Sequence, residues 1–480
     1  MIIKLNKSRI LNLIIFLLYF GLTFLVMIKH ESWRDEAQIW LEVRDMPVQD
    51  VIKSLGANGG GGFWQFLIFP LAKNNFPYYS MKIINYSAFC FAVLIFIFYS
   101  PFNLLFKIAV LFSYHFLYEY PSFSRSYCSS VFLIFFISFL YKERFRKPVL
   151  FFLSVFILSN TNIFGFMFGI SVLLIYILEF IMKKNKTINF KKIFIAIFIG
   201  FSGLIIAFLQ TNQGRGSQVG GELLYMIQLE TVIIDFFSSI YSNISSVFFC
   251  NNPISGFFAI TAFVLVFILV KKNMYKLFIF IIECQLLLFW FLLERNDIYQ
   301  LGYVLVFAIS VLWISYQNNL RYVIMQVLII IILFMQIPDA FSAYINDVRF
   351  VFSDSKNVAE FLVKKKLEKK ILIGCSDNPN QLSNLTSILP YMPEVKLYDI
   401  FMDEYMTYLK ENVHKKSFRM SLEEIVKKIR SNFNLKDAVI ICDVLVDQKN
   451  AGYLGLKKIY ESNPGVIDAD ERYAVYIFDF

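Results

Sequence analysis

The sequence predicts an α-helical polytopic membrane protein with a soluble α/β domain at its C-terminal end. Three observations predict it. Of the 480 residues, 58% are hydrophobic and 17% charged, against roughly 45–50% and about 25% in an average soluble domain. Apolar runs long enough to cross a hydrocarbon core of roughly 30 Å recur up to position 340. Beyond that point the composition returns to that of an ordinary folded domain. A soluble enzyme, a disulfide-stapled secreted domain and a disordered chain are excluded.

The candidate spans are residues 10–28, 78–98, 104–119, 128–141, 148–160, 163–182, 191–209, 254–270, 277–293, 298–316 and 320–337. The first follows a basic start (Lys4, Lys7, Arg9) and lacks a small-residue cleavage site, so it reads as an uncleaved span rather than a signal peptide. The shorter apolar stretch Phe63–Ala72 decides the count. Treated as a dip into the membrane, it leaves eleven crossings, with thirteen as the fallback. Eleven puts the basic loops Lys142–Lys147, Lys183–Lys192 and Lys271–Lys276 on one face, the cytoplasmic one by their charge. The N-terminus is then cytoplasmic, and the long loops 29–62 and 210–253 share the outer face with the tail. Loops of that length are usually functional or disordered. The division expected is a transmembrane domain over 1–338 and an extracytoplasmic domain over 339–480. The Phe-, Ile- and Lys-rich vocabulary fits an AT-rich genome and a bacterial plasma membrane.

The net charge of +10 is topological. Up to Pro338 there are 26 Lys and Arg against 15 Asp and Glu, and after it 20 against 21. The excess sits in the membrane part, so no nucleic-acid partner is expected; the partner is the lipid bilayer. The six cysteines form no Cys-x-x-Cys pair, and only Cys375 and Cys442 fall in the tail, where one disulfide is conceivable but not indicated. The only histidines are His30, His115 and His414, too few and too scattered for a His-based metal site. Asp and Glu alone leave Mg²⁺ or Mn²⁺ open, and no cofactor is assigned. No Gly-x-Gly-x-x-Gly or Walker-type loop occurs, and no internal repeat.

In the tail, residues 352–366 read as an amphipathic helix. Lys370–Cys375, Val395–Tyr398, Ala438–Cys442 and Tyr473–Phe478 read as strands, and Ser421-Leu-Glu-Glu424 as a capping box opening a helix over 422–432. Alternating strands and helices predict an α/β arrangement.

The chemistry concentrates in Trp33-Arg34-Asp35-Glu36-Ala37-Gln38-Ile39-Trp40, about five residues past the first span. A carboxylate at the membrane–water boundary can take a proton from an acceptor hydroxyl while a lipid-borne donor lies in the bilayer beside it. Tryptophans are natural anchors at that depth. The same letters also fit a plain interfacial helix with solvated acids. Arg125, near Tyr127, could fork onto a phosphate or pair with Glu119. Arg215 and Arg295, in later outer loops, are further phosphate contacts or halves of surface pairs. The run Gly59–Gly62, before Phe63 and Trp64, could bring backbone N–H groups close to a phosphate or serve as a hinge. Asp235 and Glu283 lie within or beside apolar runs, where ionisable groups are functional candidates, whereas Glu143 and Glu179 read as partners of basic loops.

Trp-Arg-Asp-Glu-Ala-Gln-x-Trp directly after a first span resembles the first outer loop of GT-C fold glycosyltransferases. More narrowly it is similar to the bacterial branch near protein O-mannosyltransferases and lipid A aminoarabinose transferases. The resemblance continues in Arg125-Ser-Tyr127 and in Asn160-Thr-Asn162-x-x-Gly165. It implies a sugar taken from a polyprenyl-phosphate carrier and attached to a glycan, lipid or protein acceptor outside the membrane. Asp35 would be the base and Glu36 its support. Trp33, Arg34, Trp64, Arg125, Tyr127, Arg215 and Arg295 would bind substrate. Relatives carry Glu-Gly-His-Pro before the short second apolar segment, where this chain has Ala57-Asn58 and four glycines. The competing reading is a non-catalytic flippase, exporter or accessory protein of lipid-linked glycan assembly.

Overall fold

The computed structural model describes residues 7–55, 61–182, 190–214, 268, 270, 272–293, 298–317, 319–375, 382–409, 422–443 and 448–479. Along the chain run α1 (Lys7–Lys29), α2 (Arg34–Asp45), α3 (Val48–Ser54), α4 (Phe63–Lys73), α5 (Ser80–Tyr99) and α6 (Leu104–Leu111). A π turn (His115–Glu119) follows, then α7 (Tyr120–Ser122), α8 (Tyr127–Leu140), α9 (Pro148–Ser159), α10 (Ile163–Met182), α11 (Phe190–Gly214), α12 (Asn273–Leu293), α13 (Ile298–Ile314) and α14 (Leu320–Arg349). The chain divides into two compact units. The first comprises Met1–Phe24, Ile52–Trp64 and Asn85–Tyr344; the second comprises Leu25–Val51, Gln65–Ile84 and Ile345–Phe480. Pro338, where a domain boundary is expected, lies inside α14.

Among the described residues five helices are long and apolar enough to cross a membrane: Arg9–Lys29, Ser80–Tyr99, Ile163–Met182, Phe190–Gln210 and Leu320–Arg349. The apolar helices Pro148–Ser159 and Gly302–Ile314 are shorter. Leu18, Phe194 and Phe198 are each about two-thirds or more exposed, as befits faces covered by lipid. The stretch expected as a span over 104–119 is interrupted. Asn103 caps α6 by accepting the Phe106 N–H at 2.8 Å, and the helix stops at Leu111 before the π turn. The expected span 254–270 lies, but for residues 268 and 270, outside the described residues.

Inside the first unit, aromatic rings build the core. Phe96 lies 5.4 Å from Phe135 and 5.8 Å from Phe102. Glu179 takes a 2.7 Å ion pair from Arg144, the expected pairing with a basic loop. The Asn160–Asn162 turn joins α9 to α10, where the Asn162 side chain accepts the Gly165 N–H at 2.9 Å.

The second unit contains a six-stranded mixed sheet in the order β3-β2-β1-β4-β6-β5. Its strands are β1 (Ile371–Cys375), β2 (Leu397–Asp399), β3 (Glu404–Met406), β4 (Ala438–Cys442), β5 (Leu456–Glu461) and β6 (Ala474–Phe478). Strand β1 pairs in parallel with β2 and β4; β3, β5 and β6 run antiparallel to their neighbours. The central strands are continuous apolar runs because both faces are covered. Leu372, Val439, Ile441 and Val475 enter one core; Ile373, Ile440, Cys442 and Tyr476 enter the other. Helix α15 (Ser355–Lys364) lays Val358, Ala359 and Leu362 on the first core. The four predicted strands and the helix over Leu422–Asn432 form; the edge strands β3, three residues long, and β5, with its Lys457, Lys458 and Glu461, have no matching signal, being too polar to stand out.

Candidate functional site

The octapeptide opens α2. Glu36, at the third helical position, turns its carboxylate back to accept the Trp33 N–H at 3.1 Å, satisfying a donor that a helix start leaves over. Asp35 therefore sits in the first turn. At the other end Pro47 follows Met46, and the residue before a proline leaves helical geometry. Lys73 donates to the carbonyls of Met46 and, at 3.1 Å, Arg44, putting a cation at the negative end of the helix dipole.

Helix α2 is part of the second unit's core. Ala37, Leu41 and Val43 are fully buried, and Leu41 shares a hydrophobic cluster with Val358, Leu362, Leu385 and Val439. Trp40 packs 5.6 Å from Tyr78, which meets Tyr391 edge-on at 5.4 Å. The Gln38 amide pairs with Leu409 in both directions, donating to its carbonyl at 2.9 Å and accepting its N–H at 3.2 Å. Trp33 stands edge-on to Phe352.

The two acids of the motif are separated by the helix turn. Glu36 has no exposed surface, while the Asp35 side chain is 34% exposed. Asp35 lies 3.6 Å from Arg34 Nε, and Asp470 lies 3.7 Å from Arg34 Nη1. The same guanidinium donates to Asn384 Oδ1 at 3.0 Å, and Asn384 donates to Asp443, just past β4, at 3.4 Å. The Arg34 backbone N–H donates to Glu471. Burial pushes the Glu471 carboxyl up to about 8, against the opposing pull of the Ser353 hydroxyl and Arg34. It is therefore mostly protonated at neutral pH.

Behind this surface His30 bridges two buried carboxylates, with Nδ1 at 2.8 Å from Asp347 and Nε2 at 3.8 Å from Glu36. Lys82 donates to the His30 carbonyl. Burial alone would lower the imidazole's pKa; the carboxylates of Asp347 and Glu36 outweigh it and raise it to about 9. His30 is thus an imidazolium at neutral pH. His30, Asp347, Asn384 and Glu471 carry no local motif. Asp347 and Glu471 stand 317 and 437 positions from their partners His30 and Arg34, a distance at which sequence spacing holds no signal.

The remaining site residues fall in the first unit or outside the described residues. Trp64 is buried, and its indole N–H has no hydrogen-bond partner among the described residues. Arg125 is half-buried with its guanidinium 5.6 Å from the Tyr127 ring. Asn162 donates to Tyr303 at 2.8 Å and to Ser126 at 3.3 Å, gathering the Asn-Thr-Asn and Arg-Ser-Tyr elements at one place. Glu119, the alternative partner for Arg125, is hydrogen-bonded to His115 instead. Gly61 and Gly62 are closely packed, and their neighbourhood is already hydrogen-bonded. A Cβ on Gly61 would stand 2.2 Å from the Asn160 carbonyl oxygen. The N–H groups of Gly62 and Phe63 are taken by Gln210 and Asn160, each at 3.0 Å. Gly59, Gly60, Arg215, Arg295, Asp235 and the 215–253 part of the second long loop lie outside the described residues.

Among the described residues no three His, Cys, Asp or Glu side chains are grouped to hold a metal ion. Compared with family models, with curated proteins and with solved structures, the chain matches none.

Proposed function

We propose that this protein is a membrane glycosyltransferase of GT-C type. It would move a sugar from a polyprenyl-phosphate carrier to a hydroxyl of a cell-surface glycan, lipid or protein, with Asp35 as the base. One observation carries the reading. Asp35 is a third exposed and 3.6 Å from Arg34 Nε, in the first turn of a helix that Glu36, Ala37, Gln38 and Trp40 hold in place. Rigidly supported first-turn carboxylates suit proton abstraction, because the supporting contacts fix the geometry before substrate arrives.

In this reaction Asp35 takes the proton from the acceptor hydroxyl as its oxygen attacks the anomeric carbon. The bond to the carrier phosphate breaks, polyprenyl phosphate leaves with the electron pair, and the anomeric centre inverts. Cationic groups offset the charge growing on the phosphate; Arg34, Arg125, Arg215 and Arg295 are assigned to substrate on that chemistry, and Trp33, Trp64 and Tyr127 are assigned to substrate by the resemblance. Glu36 acts through Trp33 and His30 and is a positioning residue. The same reading includes eleven crossings of a bacterial plasma membrane, a cytoplasmic N-terminus and an outward-facing C-terminal domain. Mg²⁺ or Mn²⁺ at the carrier phosphate is compatible with it.

The test is the surface-glycan mass profile of cells with the wild-type gene, a deletion, or Asp35→Asn expressed at equal level. A sugar missing from the deletion and still missing with Asp35→Asn supports the transferase. A wild-type profile restored by Asp35→Asn removes Asp35 as the base and leaves carrier transport or scaffolding.

A further inference from the structure

The second unit brings together two cysteines that the proposed sugar transfer does not use. Cys375 is the last residue of β1 and Cys442 the last of β4. The two strands run parallel, and their register sets Cys375 directly opposite Cys442. Partners in register point to the same face of a sheet, and both side chains enter the same core, beside Ile373 and Ile440. There the two thiols are hydrogen-bonded to each other. Neither is oxidised in the structure, and Cys375 is 5% exposed against 1% for Cys442.

Neighbouring strands lie about 4.7–4.9 Å apart, inside the range of about 4.4–6.8 Å that the Cα atoms of a disulfide span. The sheet itself therefore holds the two sulfurs within reach of a bond. The β-carbons of a bonded pair stand somewhat closer than the strand spacing. Because the ladder between β1 and β4 ends at this pair, the backbone can draw in there without breaking pairs beyond it. We propose that Cys375 and Cys442 are an oxidisable dithiol that closes to an intrachain disulfide between the two central strands.

The oxidant is itself a disulfide, carried by a small molecule or by a protein. Cys375, the more exposed of the two, attacks it as the thiolate, forms a mixed disulfide and releases the first of the oxidant's sulfurs. The Cys375 sulfur and burial raise the Cys442 pKa and keep that thiol protonated, so it reacts second, on a sulfur it already touches. Cys442 gives up its proton, bonds to Cys375 and displaces the oxidant's second sulfur. Two cysteine thiols are oxidised, one disulfide is reduced, and both protons end on the leaving thiols. The bond closes the loop of residues 376–441, which removes freedom from the unfolded chain and so stabilises the sheet. From the proposed function the inference takes only the outward-facing tail, since disulfides persist in oxidising compartments.

The experiment places the purified full-length protein in glutathione buffers of rising oxidised fraction. Samples are quenched in acid, alkylated under denaturing conditions and digested for peptide mass mapping. The expected result is a peptide pair joined through Cys375 and Cys442, lighter by two hydrogens than its thiol form. It grows with the oxidised fraction and disappears on reduction, and the oxidised protein melts at a higher temperature. Cys375→Ala loses the joined pair and leaves Cys442 alkylated. Both cysteines alkylated as free thiols at every ratio overturn the proposal. So does a bond from either one to another cysteine, or a glutathione adduct that never resolves. The wild-type map decides by itself if Cys375→Ala does not fold. The purified protein needs neither a membrane orientation nor the Asp35-dependent sugar, so this inference and the proposed function fail separately.

Discussion

Replacing His30 by glutamine removes the imidazolium that stands between Asp347, at 2.8 Å, and Glu36, at 3.8 Å. In the folded protein the imidazole's pKa rises from 6.5 to about 9. Each unit is worth about 1.4 kcal/mol, so the cluster contributes about 3 kcal/mol to stability through this one proton. A raised pKa means the folded state holds the proton more tightly than the unfolded chain. The contribution is therefore complete below 6.5, falls as the pH rises towards 9, and is absent above it. The assay is thermal unfolding of the full-length protein in detergent, wild type against His30→Gln, across that range. For a unit of this size, about 3 kcal/mol corresponds to roughly 6–12 °C in melting temperature. The gap between the two proteins should shrink by that amount between pH 6.5 and 9. Glu471 also loses stability with rising pH, but it does so in both proteins and cancels. A gap that is constant with pH would refute the reasoning, since the two carboxylates would then not be holding a proton on His30.

Three further outcomes follow from the same geometry. Glu471→Gln mimics the protonated acid, so it should match the wild type below pH 4.5. It should become relatively more stable up to pH 8, by at most about 5 kcal/mol, read from the same melting curves; parallel curves would count against a neutral Glu471. Leu41→Ala leaves a hole in the second unit's core and should cost about 2–5 kcal/mol, and a change below half a kilocalorie would show that α2 is not part of that core. Gly61→Ala forces a Cβ to within 2.2 Å of the Asn160 carbonyl oxygen and should destabilise the first unit by about 1–3 kcal/mol, measured as a lower melting temperature. A hinge at Gly61 would instead tolerate alanine.

Membrane character, the apolar helices and the central strands could be read from the chain itself, because hydropathy and periodicity are local properties. The runs Ile371–Cys375 and Ala438–Cys442 are apolar at every position, which is what a strand buried on both faces requires. A helix was one of the two readings of the Trp33–Trp40 segment, but its start at Arg34, with Glu36 accepting the Trp33 N–H, was not part of that reading. The sequence also singled out Asp35 and Glu36, and the resemblance made Asp35 the base and Glu36 its support, but nothing in the spacing said which of them is buried. Only the helix turn and the packing of α2 made one a buried cap and left the other at the surface. Tertiary structure alone joined His30 to Asp347 and Arg34 to Glu471. It also brought the backbone of Asn160 against Gly61, where a Cβ has no room. These contacts depend on where distant segments meet in space, and a carboxylate's partner across hundreds of residues leaves no trace in the spacing of its neighbours.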